Sequence, residues 1–238
     1  MSAAIRRAAA EFIGTAMLLI AVVGSGIAAQ RLSPTDVGLQ LMENAVVTGA
    51  ALVAIILALG PVSGAHLNPL VSVADAMLGG TPWREAPAYV AAQVCGGACG
   101  TVVANLMFGL PAISLSAQRR AGAGLWLGEV VATFGLLVVI YGVVNSDRRA
   151  WAPLAVGAYI TSAYWFTSST SFANPAVALA RTLSDTFAGI APGSAPMFIL
   201  MQLAGGGLGL AAIRLLYPAH QKSKEVQACL PEFSSRSM

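Results

Sequence analysis

SFANPAVALAR, residues 171–181, decides the fold, because it places an Asn-Pro pair inside an otherwise apolar stretch of the chain. A second stretch, GAHLNPLVSVAD at residues 64–75, carries the same pair 106 positions earlier. Asn is a good N-cap, and Pro is favoured at the first helical position because its missing N–H would be unpaired there anyway. Both pairs therefore predict the start of a short helix, at residues 68–78 and at residues 174–183.

The composition places both helix starts inside a membrane. Of the 238 residues, 57% are hydrophobic and 10% are charged, and the mean hydropathy is +0.74; a soluble domain has about 45–50% apolar and about 25% charged residues. A helix that begins in mid-membrane exposes free N–H groups and a partial positive charge, which is tolerated only against other protein or a water-filled cavity. Two such starts predict a pore.

Six apolar stretches have roughly the length of a transmembrane helix, about 20 residues. The fifth is short, so we expect it to extend by a few residues. The sequence thus predicts an all-α membrane protein with six transmembrane helices and two re-entrant half-helices, forming a channel domain at residues 1–218 with a polar cytoplasmic tail at residues 219–238. The six predicted spans are residues 9–29, 41–60, 86–109, 124–144, 152–166 and 195–217.

The basic residues predict the orientation, since basic residues are enriched in cytoplasmic segments. With both termini in the cytoplasm, nine basic residues lie inside and four outside. The net charge of +3 does not indicate nucleic-acid binding, because the basic residues sit at span ends without interleaved aromatic residues. The inner set is Arg6, Arg7, Arg84, Arg148, Arg149, Arg214, Lys222, Lys224 and Arg236, and the outer set is Arg31, Arg119, Arg120 and Arg181.

The chain also contains an internal repeat. AEFIGTAMLLIAVVGSG at residues 10–26 and GEVVATFGLLVVIYGVV at residues 128–144 share a glutamate followed four positions later by a threonine. This similarity predicts two copies, residues 8–109 and 124–217, each with three crossings and one half-helix. An odd number of crossings inverts the second copy, so the two half-helices enter from opposite faces and their Asn-Pro starts meet near the midplane.

Glu11 and Glu129 are the only carboxylates deep in the predicted spans. Ionisable groups in membranes often serve proton relays. Their symmetric positions favour a structural role instead, in which each accepts hydrogen bonds from the non-helical backbone before its half-helix.

No metal, cofactor or enzyme chemistry is predicted. His66 has no second ligand at a suitable spacing, so we expect it to brace the loop before Asn68 rather than to bind a metal. Cys95 and Cys99 lie among glycines, which favours a close helix-packing face over thiol chemistry. The sequence shows no pairing of His, Cys or carboxylate residues that is typical of a catalytic site.

Taken together, the two Asn-Pro motifs and the repeat resemble the major intrinsic protein family, the aquaporins and aquaglyceroporins. The resemblance implies a passive channel with Asn68 and Asn174 facing a single file of solute, and with Pro69 and Pro175 stacked between the half-helices. It further implies a homotetramer in which each protomer carries its own pore, without a cofactor. The motifs are GAHLNP at residues 64–69, Asn-Pro-Ala at residues 174–176 and AEFIGT at residues 10–15, and the likeness covers about residues 8–217.

The chain departs from this family at the outer selectivity filter. Most relatives have an arginine three residues after the second Asn, where this chain has Val177, and a bulky aromatic residue where it has Thr48. Ser171 is the third filter position. The fourth is Ser162 when counted back from Asn174 and Tyr164 when the fifth spans are aligned, and the alignment favours Tyr164.

The first motif departs from the family as well, since it reads Asn-Pro-Leu instead of Asn-Pro-Ala. Leu70 therefore puts a larger side chain close to the junction of the half-helices, where we expect a modest effect.

A filter with hydroxyl groups and no arginine suits uncharged polyhydroxy solutes, because an ion would lose hydration there without gaining ligands. These departures resemble bacterial members associated with arsenic-resistance genes, which move uncharged metalloid acids. The resemblance implies a channel for arsenite and antimonite, with glycerol or water, in a bacterial inner (plasma) membrane. A water-selective aquaporin and a coupled secondary transporter are the alternatives.

Arg181 offers two further interpretations. It follows Val177 by one helical turn, and helical side chains lean back over the preceding turn, so its guanidinium could hang over the outer pore mouth. Asp75 occupies the symmetric position, so the two vestibules would carry opposite charges. Alternatively, Arg181 pairs with Asp185 or Glu43 and only seats the half-helix, which the sequence favours.

Overall fold

The computed structural model describes residues 2–146 and 148–218, and the predicted tail at residues 219–238 lies outside that part. Within it, the chain is helical in the predicted order. The helices are α1 (Ala3–Leu32), α2 (Val37–Ser63), α3 (Pro69–Met77), α4 (Ala86–Met107), α5 (Ala123–Asn145), α6 (Ala152–Phe166), α7 (Pro175–Ala180) and α8 (Ala195–Leu216).

Five of these helices, α1, α2, α4, α5 and α8, are long and apolar enough to cross a membrane. The fifth predicted crossing, α6, has only 15 residues and is preceded by a 3₁₀ turn at Arg149–Trp151. This turn supplies the extension that the short apolar stretch requires.

The two half-helices begin as the sequence predicts. Asn68 caps α3 with its side-chain oxygen, which accepts a hydrogen bond from the Leu70 N–H at 2.9 Å. Asn174 caps α7 in the same way, with Ala176 N–H donating at 3.0 Å. The second half-helix ends earlier than predicted, at Ala180, and continues as a 3₁₀ turn through residue 183.

Beyond the end of α7, the backbone is tied to a neighbouring segment. The carbonyl oxygen of Arg181 accepts a hydrogen bond from the N–H of Ile190, at 3.4 Å, in the segment that returns toward α8. Helix ends commonly tighten into 3₁₀ geometry, as the chain does after Ala180.

The helix contacts repeat between the two halves of the chain. Helix α1 contacts α2 and α4, and α5 contacts α6 and α8. Each half-helix packs against the third crossing of both repeats: α3 contacts α4 and α8, and α7 contacts α8 and α4. The half-helices are therefore enclosed by both repeats, and α2 and α6 join the repeats along a second contact.

Glycines allow the closest of these helix contacts. A side chain at Gly96 or Gly100 on α4 would collide with the backbone of α1, and one at Gly205 on α8 would collide with the backbone of α5. Small residues permit such close approach of membrane helices. Cys95 and Cys99 are exposed on α4, so the predicted packing face is formed by the glycines beside them.

Candidate solute pathway

Asn68 and Asn174 meet at the junction of the half-helices. The side-chain nitrogen of Asn68 donates to the carbonyl of Ala173 at 2.8 Å, and that of Asn174 donates to the carbonyl of Leu67 at 2.7 Å. Each amide is therefore fixed by its own helix on the oxygen side and by the opposite loop on the nitrogen side. Both side chains line one continuous cavity inside the chain.

Two carboxylates hold the loops that lead into the half-helices. Glu11 accepts hydrogen bonds from the backbone N–H groups of residues 66–67, at 2.9 and 2.7 Å. Glu129 accepts them from residues 172–173, at 2.9 Å each. Both carboxylates are fully buried, so these bonds compensate part of the cost of burying a charged group.

Two glutamines that the sequence analysis missed complete this arrangement. Gln93 donates to Glu11 at 2.7 Å, and Gln202 donates to Glu129 at 2.6 Å. The signal was present in the sequence, since QVCGG at residues 93–97 and QLAGG at residues 202–206 occupy the same place in the third crossing of each repeat.

The same loops line the cavity, and their backbone conformation is unusual. Residues 65 and 67, and the symmetric residues 171 and 173, have positive φ angles between 47° and 52°, which is uncommon for residues with a side chain. Among the described residues, nothing donates a hydrogen bond to the carbonyl oxygens at 64–66 and 171–172, and these residues line the cavity. These oxygens are therefore free to accept hydrogen bonds from a solute.

The residues predicted for the filter are brought together at one end of the cavity. Thr48, Tyr164, Ser171 and Val177 all line it. The Thr48 and Tyr164 hydroxyl oxygens are 3.2 Å apart. The Ser171 hydroxyl oxygen is buried and has no hydrogen-bond partner among the described residues.

The structure distinguishes the two alternatives for the fourth filter position. Ser162 is exposed on α6, and its hydroxyl donates to the Ala158 carbonyl at 2.9 Å. Tyr164 is 3% exposed and faces the cavity. Residues two positions apart on a helix point in different directions, so only one of them can line the cavity, and that residue is Tyr164.

Arg181 lies beside the filter residues and lines the same cavity. Its side chain is 2% exposed, and its Nε donates to the carbonyl oxygen of Ala188. The centre of its guanidinium group is 3.6 Å from the ring centroid of Phe172.

The ion pairs that the sequence offers as partners for Arg181 are absent from the described part of the chain. Asp185 instead accepts a hydrogen bond from the N–H of Ala117 at 2.9 Å, and Glu43 accepts one from the Ser33 hydroxyl at 2.8 Å. Arg181 is seated by a carbonyl and an aromatic ring, which the sequence could not indicate.

At the opposite end of the cavity, Asp75 and His66 line the wall. Asp75 accepts two hydrogen bonds from Thr81, at 2.6 Å from its N–H and 2.7 Å from its hydroxyl. His66 Nε2 is 3.7 Å from the Asp75 carboxylate, and His66 Nδ1 is 3.1 Å from the Ser72 hydroxyl. His66 is thus held against α3 by two polar contacts.

The proline rings and the exceptional leucine lie at the half-helix junction. Pro69 and Pro175 occupy the first positions of their helices and are buried. Leu70 is 7% exposed, and its side chain fills the space in front of Gly206 on α8. The larger side chain is accommodated because a glycine faces it.

An inverted helical repeat that encloses a continuous cavity defines a membrane channel. The family model described as Major intrinsic protein matches residues 1–173. The chain belongs to the major intrinsic protein family. This membership confirms the predicted resemblance, the all-α fold with two re-entrant segments, and a multi-pass membrane channel for small neutral solutes in place of an enzyme.

Similar proteins and structures agree with this assignment. The chain is 51% identical over 215 residues to Aquaglyceroporin AqpS of Rhizobium meliloti, covering 90% of this chain and 91% of that protein. It is 35% identical over 213 residues to Aquaporin NIP1-4 of Oryza sativa subsp. japonica, covering 87% and 75%. The X-ray structure of the aquaglyceroporin from Plasmodium falciparum shares the fold, with a TM-score of 0.72 at 22% identity over 92% of this chain and 99% of that one.

Proposed function

We propose that this protein is a passive channel for small uncharged polyhydroxy solutes, including the trivalent metalloid acids arsenite and antimonite, together with glycerol and water. The observation that carries the proposal is the filter lining, in which Thr48, Tyr164 and Ser171 contribute hydroxyl groups and Val177 contributes only methyl groups. A neutral trihydroxide and glycerol present the same chemistry to such a lining, since both combine several hydroxyl groups with no net charge.

The rest of the cavity supports the same solute class. Free carbonyl oxygens at residues 64–66 and 171–172 provide acceptors along one side. Leu18, Val22 and Leu52 are among the apolar residues on the lining. A solute with hydroxyl groups can exchange water for these carbonyls, whereas a small ion would lose several kcal/mol or more of hydration.

Two alternatives fit the site less well. A water-selective channel would need a narrower filter than one lined by Val177 and Thr48. A proton-coupled transporter would need a carboxylate free to exchange protons with the pathway, whereas the carboxylate on the cavity lining, Asp75, accepts two hydrogen bonds from Thr81. Glu11 and Glu129 each accept at least three hydrogen bonds from backbone and glutamine groups, which supports their structural role.

We further propose a homotetramer in the inner (plasma) membrane of a bacterium, with a pore in each protomer and residues 1–218 forming the channel domain. The helices of a single chain enclose a continuous cavity, which supports a pore within each protomer. Both ends of the described chain lie on the Asp75 side, because Arg7 pairs with Glu85 at 2.7 Å and Arg214 donates to the Met77 carbonyl at 3.3 Å. The excess of basic residues there supports cytoplasmic termini, with the tail at residues 219–238 following on that side.

The proposal is tested with protein reconstituted into vesicles. Stopped-flow light scattering should show faster glycerol and water permeation than in empty vesicles, and arsenite uptake should rise in cells that produce the protein. Because the transport is passive, imposing a proton or sodium gradient should leave these rates unchanged. Rates no greater than in empty vesicles for every neutral solute would reject the proposal, and a gradient-dependent rate would favour a coupled transporter.

A further inference from the structure

Val177 stands where most of the family has an arginine, and Arg181 lies one helical turn further along the chain. We infer that Arg181 is a specificity-determining residue, whose guanidinium group repels small cations from the cavity and donates hydrogen bonds to the oxygen atoms of passing neutral solutes. This inference rests on the proposed channel function and concerns the selectivity of the same pathway.

The position of Arg181 follows from the early end of α7. After Ala180 the backbone tightens into a 3₁₀ turn, and the Arg181 side chain reaches the cavity wall that Ser171 and Val177 also line. An arginine at position 177 would arrive at this wall from within the half-helix. In this chain the guanidinium group of Arg181 reaches the wall from the 3₁₀ turn that follows the half-helix.

The guanidinium group is held by contacts that leave most of its donors unused. Nε donates to the Ala188 carbonyl, and the group lies over the face of Phe172. Among the described residues, none accepts a hydrogen bond from either terminal nitrogen. Arginine carries five N–H donors, so four of them remain available beside the cavity.

A second arginine fixes the segment to which Arg181 is anchored. Arg120 donates from Nε to the Gly189 carbonyl at 2.9 Å and from a terminal nitrogen to the Phe187 carbonyl at 3.1 Å. These two carbonyls flank that of Ala188 in sequence. Arg120 is therefore a positioning residue: it orients residues 187–189 and leaves Arg181 to face the cavity.

No carboxylate lies within ion-pair distance of Arg181 in the part of the chain that the structure describes. The ion pairs within residues 2–146 and 148–218 are Arg7 with Glu85 and His66 with Asp75, and both lie at the other end of the cavity. The unpartnered Ser171 hydroxyl is on the same lining. A buried guanidinium without a carboxylate is costly unless other groups solvate it, and water or solute in the cavity can do so.

The test compares two substitutions that remove the same anchor but differ in charge. Arg181→Met and Arg181→Lys both lose the Nε bond to Ala188 and keep a long side chain, whereas only the lysine keeps a cation. Arg119→Met is the matched control, because Arg119 is exposed beside Arg120 and its replacement removes one positive charge from the same end of the molecule. The measured quantity is the ratio of methylammonium flux to formamide flux in vesicles, two solutes of similar size.

We expect wild type, R119M and R181K to exclude methylammonium, and R181M to raise the flux ratio roughly tenfold or more, because a nearby like charge raises the entry barrier strongly in a poorly solvated site. Equal ratios in R181M and R181K would overturn the inference and leave Arg181 with a seating role only. If the variants fail to reach the membrane, the flux ratio of the wild-type protein is the test. Methylammonium flux as fast as formamide flux in wild type would also overturn the inference. Failure of the proposed channel function would be distinguishable from both of these outcomes, because formamide and glycerol would then not pass through the wild-type protein.

Discussion

At position 177 a small apolar side chain lines the cavity. Val177 is 5% exposed and lines the cavity with methyl groups, where most of its family has a guanidinium. Its neighbours on the lining are the Ser171 hydroxyl and, one turn further, Arg181. The lining at this level therefore combines polar groups with the methyl groups of Val177.

Val177→Arg should narrow this opening and place a second cation next to Arg181. We expect glycerol and arsenite permeation to fall roughly tenfold or more relative to water, since the added guanidinium takes space and donors that a larger solute needs. Stopped-flow permeability ratios measure the effect. Val177→Met is the control for volume without charge, and it should narrow the opening without adding a second cation. Unchanged ratios in both variants would show that residue 177 does not line the narrowest point.

At the scale of helices, the half-helices are seated differently in the two repeats. Leu70 on α3 fills the space before Gly206 on α8, where an added Cβ would collide with the leucine side chain. A Cβ built on Gly97 of α4 would meet α7 less closely, at 3.2 Å from the Ala180 Cβ and 3.5 Å from the Ala176 carbonyl. The Asn-Pro-Leu motif and Gly206 are thus complementary in shape. The sequence indicates the exceptional leucine but not its partner, because the two lie 136 positions apart.

Gly206→Ala should therefore destabilise the protein by about 1–3 kcal/mol, as overpacking of a filled site usually does. Gly207→Ala is the matched control, since a Cβ at Gly207 meets no atom within 4 Å and should leave the stability nearly unchanged. Leu70→Ala should restore stability in the Gly206→Ala background, because alanine reproduces the arrangement of the other repeat. Thermal unfolding in detergent measures all three, and a double variant no more stable than Gly206→Ala would contradict the proposed contact.

For the whole molecule, the features that could be predicted are those that repeat at a fixed spacing. The paired Asn-Pro motifs and the paired glutamates mark both repeats in the sequence, and hydropathy gives six spans. What could not be predicted depends on backbone paths between elements: the tightened end of α7 and the Ala188 carbonyl that anchors Arg181. Local sequence patterns do not encode contacts between segments that are distant along the chain.

The twofold design of the molecule predicts that Glu11 and Glu129 are equivalent supports. Replacing either by glutamine turns one oxygen that accepts hydrogen bonds into an amide donor facing an N–H donor, which leaves at least one buried group unpaired at a cost of about 1–3 kcal/mol. Glu11 also accepts a hydrogen bond from the Ser63 hydroxyl at 2.6 Å, so Glu11→Gln should destabilise at least as much as Glu129→Gln.

Thermal unfolding compares the two variants with wild type, and vesicle permeation at several pH values tests for a proton relay. Structural supports predict lower unfolding temperatures in both variants, with an unchanged pH dependence of glycerol flux in the protein that remains folded. A shift of that pH dependence in either variant, at unaltered stability, would show that the carboxylate takes part in transport.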